Sequence, residues 1–397
     1  MVSWTNDFNC RQQFFNAETQ RRRKERTESI TDPLCDLSAS AFEEILTDEQ
    51  YMKRALELAQ RGRGLTSPGA MVGAVVVNDK KIVGEGFYTW DGLHHAEKQA
   101  LELAGERTRG ATLYLSLEPC AHQGRTPPCA EAVVAAGIAR VVVAMEDPNP
   151  KVDGRGIAIL SQAGIEVECG LCQGEAREIN EAFIHATRSD RPFGLLKIAM
   201  SLDGKIATGG GESQWITSEE SRHRVQLLRH GADALLTGSG TVLGDDPLLT
   251  DRSGIERRRP LIRAVIDRRG RLGPHLHIFT SPGVLVYTQV PHLALPASHE
   301  VVTGTTGLLE VARDLAARDV QTLMLECGPD LAFDALRRDI IDKIVFFVAP
   351  RILGGREIPA FGSVGVERLS DAVEIRNWQF ESVGPDLMIT GYVHRDH

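Results

Sequence analysis

The sequence predicts two consecutive α/β domains, each a layered arrangement of strands and helices, on three observations. The chain has 397 residues, well beyond the ~100–200 that one domain typically takes. Short apolar runs alternate with helix-patterned segments along most of its length, the pattern of sheets covered on both faces. The alternation breaks once, at the polar helical connector "GEAREINEAFIHATRSDRP", and restarts at Pro192. The expected organisation is an N-terminal extension over residues 1–46, a first domain over 47–180 and a second over 191–397.

The elements follow in order. Residues 1–46 contain "QRRRKER", few periodic apolar residues and an Asp-Pro break, so this extension is expected to be poorly ordered. Thr47 with Gln50 fits a capping box, and Met52, Leu56 and Ala59 follow at helical spacing. After a turn at Ser67-Pro68-Gly69, "MVGAVVVN" and "KKIVGEGFY" read as a hairpin. Then come a helix from His95, the strand "ATLYLSL", a loop bounded by Cys120 and Cys129, a helix from Cys129, the strand "RVVVAM", and a helix-strand unit ending near Cys169. Beyond Pro192 the strands are "FGLLKIAMSLDG", "ADALLTGSG", "LIRAVID", "GVLVYT", "TLMLECG" and "KIVFFVAP". Thr217 with Glu220 predicts a second capping box and a helix start.

Composition narrows the function classes. Hydrophobic residues make up 42% and charged residues 25% of the chain, ordinary for a globular protein with an ample core. No run reaches the ~18 apolar residues of a membrane helix, and the first residues lack the apolar core of a secretory leader. A net charge of −9 gives no reason to expect nucleic acid as a partner. Seven cysteines, an odd number thinly spread, do not form a disulfide framework. A cytoplasmic protein is expected, with no membrane partner, and there paired cysteines read as metal ligands or catalytic groups.

The stretch "SLEPCAHQGRTPPC" holds two such thiols, Cys120 and Cys129. Catalytic zinc sites use three protein ligands and leave a fourth position open, so a third donor is needed. Zinc deaminases carry it as H-x-E ahead of the Pro-Cys and the second Cys, with the Glu as proton shuttle. Here that order reads His95-Ala96-Glu97, Pro119-Cys120, Cys129, which makes His95, Cys120 and Cys129 the candidate zinc ligands. Glu97 is then free to move a proton between water and a leaving amine. Eight residues separate the two cysteines instead of two. Pro127-Pro128 can start the next helix after this insertion, and a helix N-terminus at Cys129 favours thiolate. His94 is an alternative ligand without the Glu, His122 a candidate substrate contact, and Cys169-Gly-Leu-Cys172 reads as structural.

"HAE", "LEPCAHQGRTPPC" and "DPNPKVDGRGI" resemble the bifunctional riboflavin-biosynthesis deaminase/reductase family, and the long loop between the cysteines is the distinguishing feature. The resemblance runs from about residue 47 to the C-terminus. It implies a cytidine-deaminase-like α/β/α layer domain followed by a dihydrofolate-reductase-like α/β domain. It further implies hydrolysis of the exocyclic amine of a diaminopyrimidine ribosyl phosphate with one zinc, then NADPH-dependent reduction of the ribosyl chain to a ribityl chain. By position it implies that Ala199, Trp215, Thr241, Asp245, Gly328, Pro329 and Asp330 face the dinucleotide. Ser213, Arg229, Leu249, Arg252 and Glu326 would then face the substrate, a small phosphorylated pyrimidine, and a homo-oligomer is expected.

There are two departures from the family pattern. Gly69 stands where the family usually has an Asn near the substrate. Arg268 falls where a small polar residue is usual beside the cofactor, which makes it a candidate clamp for a 2′-phosphate. Three rival readings stay open: a reductase with a degenerate deaminase half, a nucleic-acid base deaminase with an appended domain, and a binding module whose zinc is purely structural and closed by His122 or His94.

Overall fold

A computed structural model describes residues 46–92, 94–123, 127–150, 152–291, 294–362 and 365–393. The expectation of poor order for the N-terminal extension, apart from Leu46, lies outside the described residues. Helix α1 (Asp48–Gln60) starts on the expected capping box: the Thr47 hydroxyl accepts from the Gln50 amide while the Gln50 side chain accepts from the Thr47 amide. Its apolar stripe, Met52, Ala55, Leu56 and Ala59, is buried.

The first sheet has the order β2-β1-β3-β4-β5, built from β1 (Gly73–Asn78), β2 (Lys81–Phe87), β3 (Thr112–Leu115), β4 (Arg140–Val143) and β5 (Glu166–Cys169). β1 pairs antiparallel with β2 and β3, while β3, β4 and β5 run parallel. Side chains alternate across a strand, so Ala74 and Val76 enter one core and Val75 and Val77 the other. The first core is covered by α2 (Ala96–Ala104), α3 (Cys129–Ala135) and α4 (Arg155–Gln162). The second is covered by α1 with the connector helices α5 (Gln173–Ile179) and α6 (Glu181–Ala186).

The second sheet has nine strands in the order β11-β10-β9-β8-β12-β6-β13-β16-β15. Its parallel part is β6 (Phe193–Ser201), β8 (Ala234–Gly238), β9 (Ile262–Ile266), β10 (Val284–Thr288), β11 (Glu300–Thr303), β12 (Thr322–Leu325) and β13 (Lys343–Ala349). A C-terminal hairpin, β15 (Ile375–Val383) and β16 (Asp386–Val393), adds antiparallel to β13. Helices α9 (Leu308–Ala317) and α10 (Pro329–Arg337) pack on one face. On the other face lies α7 (Glu219–Gly231), and Val242 of the short α8 (Ser239–Asp245) joins the same core. A separate two-stranded ladder joins β7 (Lys205–Ala207) to β14 (Ile358–Pro359).

One helix start differs from expectation. α7 is capped by Ser218, whose hydroxyl accepts from the Ser221 amide at 3.2 Å. Thr217 therefore forms no capping box with Glu220. Asp386 decides the frame from across the fold, because its carboxylate accepts from both the Ser218 amide and the Ser221 hydroxyl.

Leu46–His397 forms one compact unit, and polar contacts join its two sheets. Buried Asn180 exchanges two hydrogen bonds with the backbone of Met71, at 2.8 and 3.0 Å. From the second half, Arg258 donates to the Ser67 carbonyl and Arg259 to the Ser67 hydroxyl, while Gln321 reaches the Pro68 carbonyl. The segment leading into β1 is thereby held from both sides.

Candidate active sites

In the first half three donor atoms converge. His95 is the N-cap of α2 and Cys129 the first residue of α3, so both stand at helix N-termini. Cys120 follows β3, and its Sγ accepts from the Cys129 amide at 3.3 Å. His95 Nδ1 lies 3.6 Å from Cys120 Sγ and 3.2 Å from Cys129 Sγ. All three donors fall within 4.8 Å of one another, the one such group of three or more among the described residues. Hydrogen bonding to Cys129 and His95 outweighs burial and holds the Cys120 thiol below its ordinary range, and the same contact with Cys120 pushes Cys129 up. Two cysteine sulfurs with an imidazole nitrogen make up a donor set of tetrahedral zinc.

Glu97, two residues into α2, is 3% exposed. Burial pushes its carboxyl up to about 7, against the pull of His95, and it lies outside the donor group. A carboxyl beside the site with a pKa near neutrality suits proton transfer in both directions. His94 is turned to Glu102 at 3.0 Å and is no ligand. His122 is also outside the group, and its Nδ1 is buried without a hydrogen-bond partner among the described residues. The set of three protein donors leaves a position for substrate water, unlike a closed structural site.

In the second half an open cavity of about 1540 Å3 lies beyond the C-terminal ends of β6, β8, β9 and β12. Ligands of open parallel sheets bind at that edge, where loops and helix N-termini converge. The cavity brings together every residue expected there: Ala199, Ser213, Trp215, Arg229, Thr241, Asp245, Leu249, Arg252, Arg268, Glu326, Gly328, Pro329 and Asp330. Gly328 caps α10 and Pro329 opens it. The Ser213 hydroxyl donates to Asp245 at 2.9 Å, and the Arg222 guanidinium stacks over the exposed Trp215 ring.

Two family models match the chain: the zinc-binding region of cytidine and deoxycytidylate deaminases over residues 46–145, and the RibD C-terminal domain over residues 192–389. The riboflavin biosynthesis protein RibD of Escherichia coli K12 is 42% identical over 362 residues, covering 87% of this chain and 99% of that protein. The chain belongs to the RibD family. Among solved structures, Acinetobacter baumannii RibD superposes with a TM-score of 0.80 at 37% identity, covering 88% of this chain and 99% of that one. A Thermotoga maritima protein described as a diaminohydroxyphosphoribosylaminopyrimidine deaminase and 5-amino-6-(5-phosphoribosylamino)uracil reductase gives 0.78 at 35% identity, over 87% and 98%.

The chain is thus a pyrimidine deaminase and reductase of riboflavin biosynthesis. Its fold is a cytidine-deaminase-type zinc domain followed by a dihydrofolate-reductase-like domain. Zinc belongs to His95, Cys120 and Cys129, and the reductase half works with a nicotinamide dinucleotide. Dialysis against a strong chelator is expected to abolish amine loss and leave reduction intact, and metal analysis alongside both assays checks this.

Two residues expected to face the substrate are paired with each other. Arg229 lines the cavity, but its Nε and one Nη bind Glu326 at 2.6 and 3.0 Å and its other Nη donates to the Thr250 carbonyl. Three of the five N–H donors of Arg229 are thus taken within the protein, whereas Arg252 is exposed and its guanidinium donates to Thr250 Oγ1 at 3.3 Å. Glu326 likewise already accepts from Arg229 and, at 3.5 Å, from Lys197.

Sequence reasoning missed three residues of this chain. Buried Glu118 accepts from the amides of Asp147, Gly154, Gly156 and Ile157, tying the "DPNPKVDGRGI" loop beneath the zinc site. Its position beside Pro119-Cys120 was the available signal. Lys197, alone among the apolar residues of β6, carried a clear one, because a lone cation in a buried strand needs an anionic partner. Asn180, in the polar connector, carried none.

Proposed function

We propose that the first half removes the exocyclic amine of 2,5-diamino-6-ribosylamino-4(3H)-pyrimidinone 5′-phosphate, and that the second half then reduces the ribosyl chain with NADPH to give 5-amino-6-ribitylamino-uracil 5′-phosphate. The carrying observation is the three-donor group with buried Glu97 beside it. Bound zinc supplies the Lewis acid that makes water nucleophilic near neutral pH. Glu97 accepts the proton of the attacking water and delivers it to the departing amine, and its burial keeps solvent from competing. His122 is a candidate contact for the pyrimidine.

In the reductase half NADPH supplies the hydride. Arg252 holds the substrate phosphate, Ser213 contacts the substrate, and the Gly328-Pro329-Asp330 helix start with Asp245, Thr241, Trp215 and Ala199 seats the dinucleotide. Arg268, at the rim of the cavity, is the candidate for the 2′-phosphate. The domains divide in the 180–191 connector. The enzyme works in the cytoplasm, in keeping with five free cysteines among the described residues and no described helix long and apolar enough to cross a membrane. It works as a homo-oligomer: Trp378 and Phe380 on edge strand β15 are 61% and 66% exposed, side chains that a second copy would cover.

A mass-spectrometric time course on the diaminopyrimidine ribosyl phosphate, with and without NADPH, tests the order. Amine loss without NADPH and reduction once it is added is the expected result. Reduction of only pre-deaminated substrate would favour the rival reading, in which Gly69 marks a degenerate first half. In the same assay Asp245→Asn and Arg252→Ala are expected to lower reduction at least tenfold and leave deamination intact. If both activities fell together, the division of labour would be wrong.

A further inference from the structure

Gly69 lies in the segment before β1, where the family usually carries an Asn near the substrate of the first half. The space that a side chain would take there is already filled. A Cβ built on Gly69 would stand 3.0 Å from Cε1 of Tyr88, 3.1 Å from the Thr66 carbonyl oxygen and 3.4 Å from Cε3 of Trp90. Any side chain at position 69 therefore presses on two aromatic rings and a backbone carbonyl, and a close-packed protein has little void into which they can retreat.

Both rings are fixed by the backbone that carries them. The Tyr88 amide donates to the Val72 carbonyl at 2.9 Å and the Trp90 amide to the Leu65 carbonyl at 3.0 Å, which zips the segment after β2 to the segment before β1. Gly62 lies against the same strip, where a Cβ would come within 2.9 Å of the Tyr88 carbonyl oxygen. From the second half, the Arg258 guanidinium lies over the Trp90 ring at 5.2 Å while its Nη1 donates to the Ser67 carbonyl. Tyr88 also reaches the zinc centre. Its ring meets the His95 ring edge to face, with centroids 5.1 Å apart and planes at 80°. One ring thus touches both the position of the missing amide and a zinc ligand.

Resting on the reading that the first half deaminates a pyrimidine, we propose that Tyr88 is a specificity-determining residue of that reaction. Its ring takes the place of a side chain at position 69 and forms the wall on which the pyrimidine packs beside His95. An aromatic side chain offers a large, rigid surface with geometric preferences toward another π-system, so the wall supplies contact area where an amide would supply a hydrogen bond. Gly69 is then the partner of Tyr88, small because the ring needs the space. The rival reading, a degenerate first half marked by Gly69, makes the opposite prediction. A degenerate site gains when Asn is returned, whereas a site rebuilt around Tyr88 loses, because the new side chain displaces the ring.

The test is amine release from the diaminopyrimidine ribosyl phosphate by the zinc-loaded full chain. Zinc is quantified on every variant, and reduction of pre-deaminated substrate checks that each has folded. Tyr88→Ala should raise KM for deamination by roughly tenfold to a hundredfold, the cost of losing an aromatic platform against a base. Its kcat should change little, since the contact is made equally in the ground and transition states. Tyr88→Phe keeps the ring and should recover most of the loss. Gly69→Asn should raise KM as well, and Tyr88→Ala added to it should cost little more, because the two changes act on one contact. Faster deamination by Gly69→Asn, an unchanged KM in Tyr88→Ala, or zinc loss in Tyr88→Ala, which would make the ring a support of His95 alone, would each overturn the proposal while the unaltered chain still deaminates. No amine release by the unaltered chain would overturn the deaminase reading itself, and this proposal with it.

Discussion

Replacing Glu97 by Gln is expected to lower deamination by about three orders of magnitude, within the range that a positioned acid–base group supplies. Zinc content and NADPH-dependent reduction should stay unchanged. The amide keeps the size of the carboxyl in a site that is 3% exposed, so packing is preserved while the proton carrier is lost. Glu97 is no member of the donor group, so metal affinity does not depend on it. Amine release, zinc quantification and reduction of pre-deaminated substrate, measured on one preparation, check all three. Loss of zinc in Glu97→Gln would instead make the carboxylate a ligand.

Glu326→Gln is expected to destabilise the reductase half by about 3 kcal/mol, because it leaves Arg229 and Lys197 buried without their counter-charge. Burial alone would raise the Glu326 carboxyl, but the Arg229 and Lys197 cations reverse this and hold it at about 2, below its ordinary 4.5. A carboxyl held low in the folded state stabilises above its unfolded value and loses that contribution as pH falls through the folded one. Thermal melts of the two proteins should therefore differ most near neutrality and converge as pH is lowered from about 4.5 towards 2. A constant difference down to pH 2 would mean that packing, not charge, carries the effect. Deamination at 25 °C should be unaffected, since no zinc ligand lies near this triad.

The deaminase centre was legible in the sequence because its parts obey local rules. His95 and Glu97 sit two apart at a helix start, Cys120 follows a strand, and Cys129 opens a helix after two prolines. Each of these positions is dictated within a few residues of itself. Glu118 was not legible, because the four amides it binds lie 29 to 39 residues away. The reductase contacts were placed only through family resemblance. "ECGPD" and "GDDP" mark turns and helix starts, but nothing local says that Ser213 meets Asp245 from 32 residues away. The Thr217 cap failed for the same reason, since Asp386, 168 residues from Ser218, shifts the helix start by one residue.

By itself the sequence determined the α/β class of both halves and the zinc donor set, and its motifs carried the resemblance that pointed to the family. The fold class and the donor set rest on short-range periodicity, caps and spacing, which backbone geometry enforces locally, and the family rests on the resemblance. Only the tertiary structure decided how the charges are used. Arg229 and Arg252 look alike in the chain and both line the reductase cavity, yet one is buried and paired with Glu326 and the other is exposed. Charge pairing depends on distance through space and on exclusion of water, and neither exists until the sheets have packed.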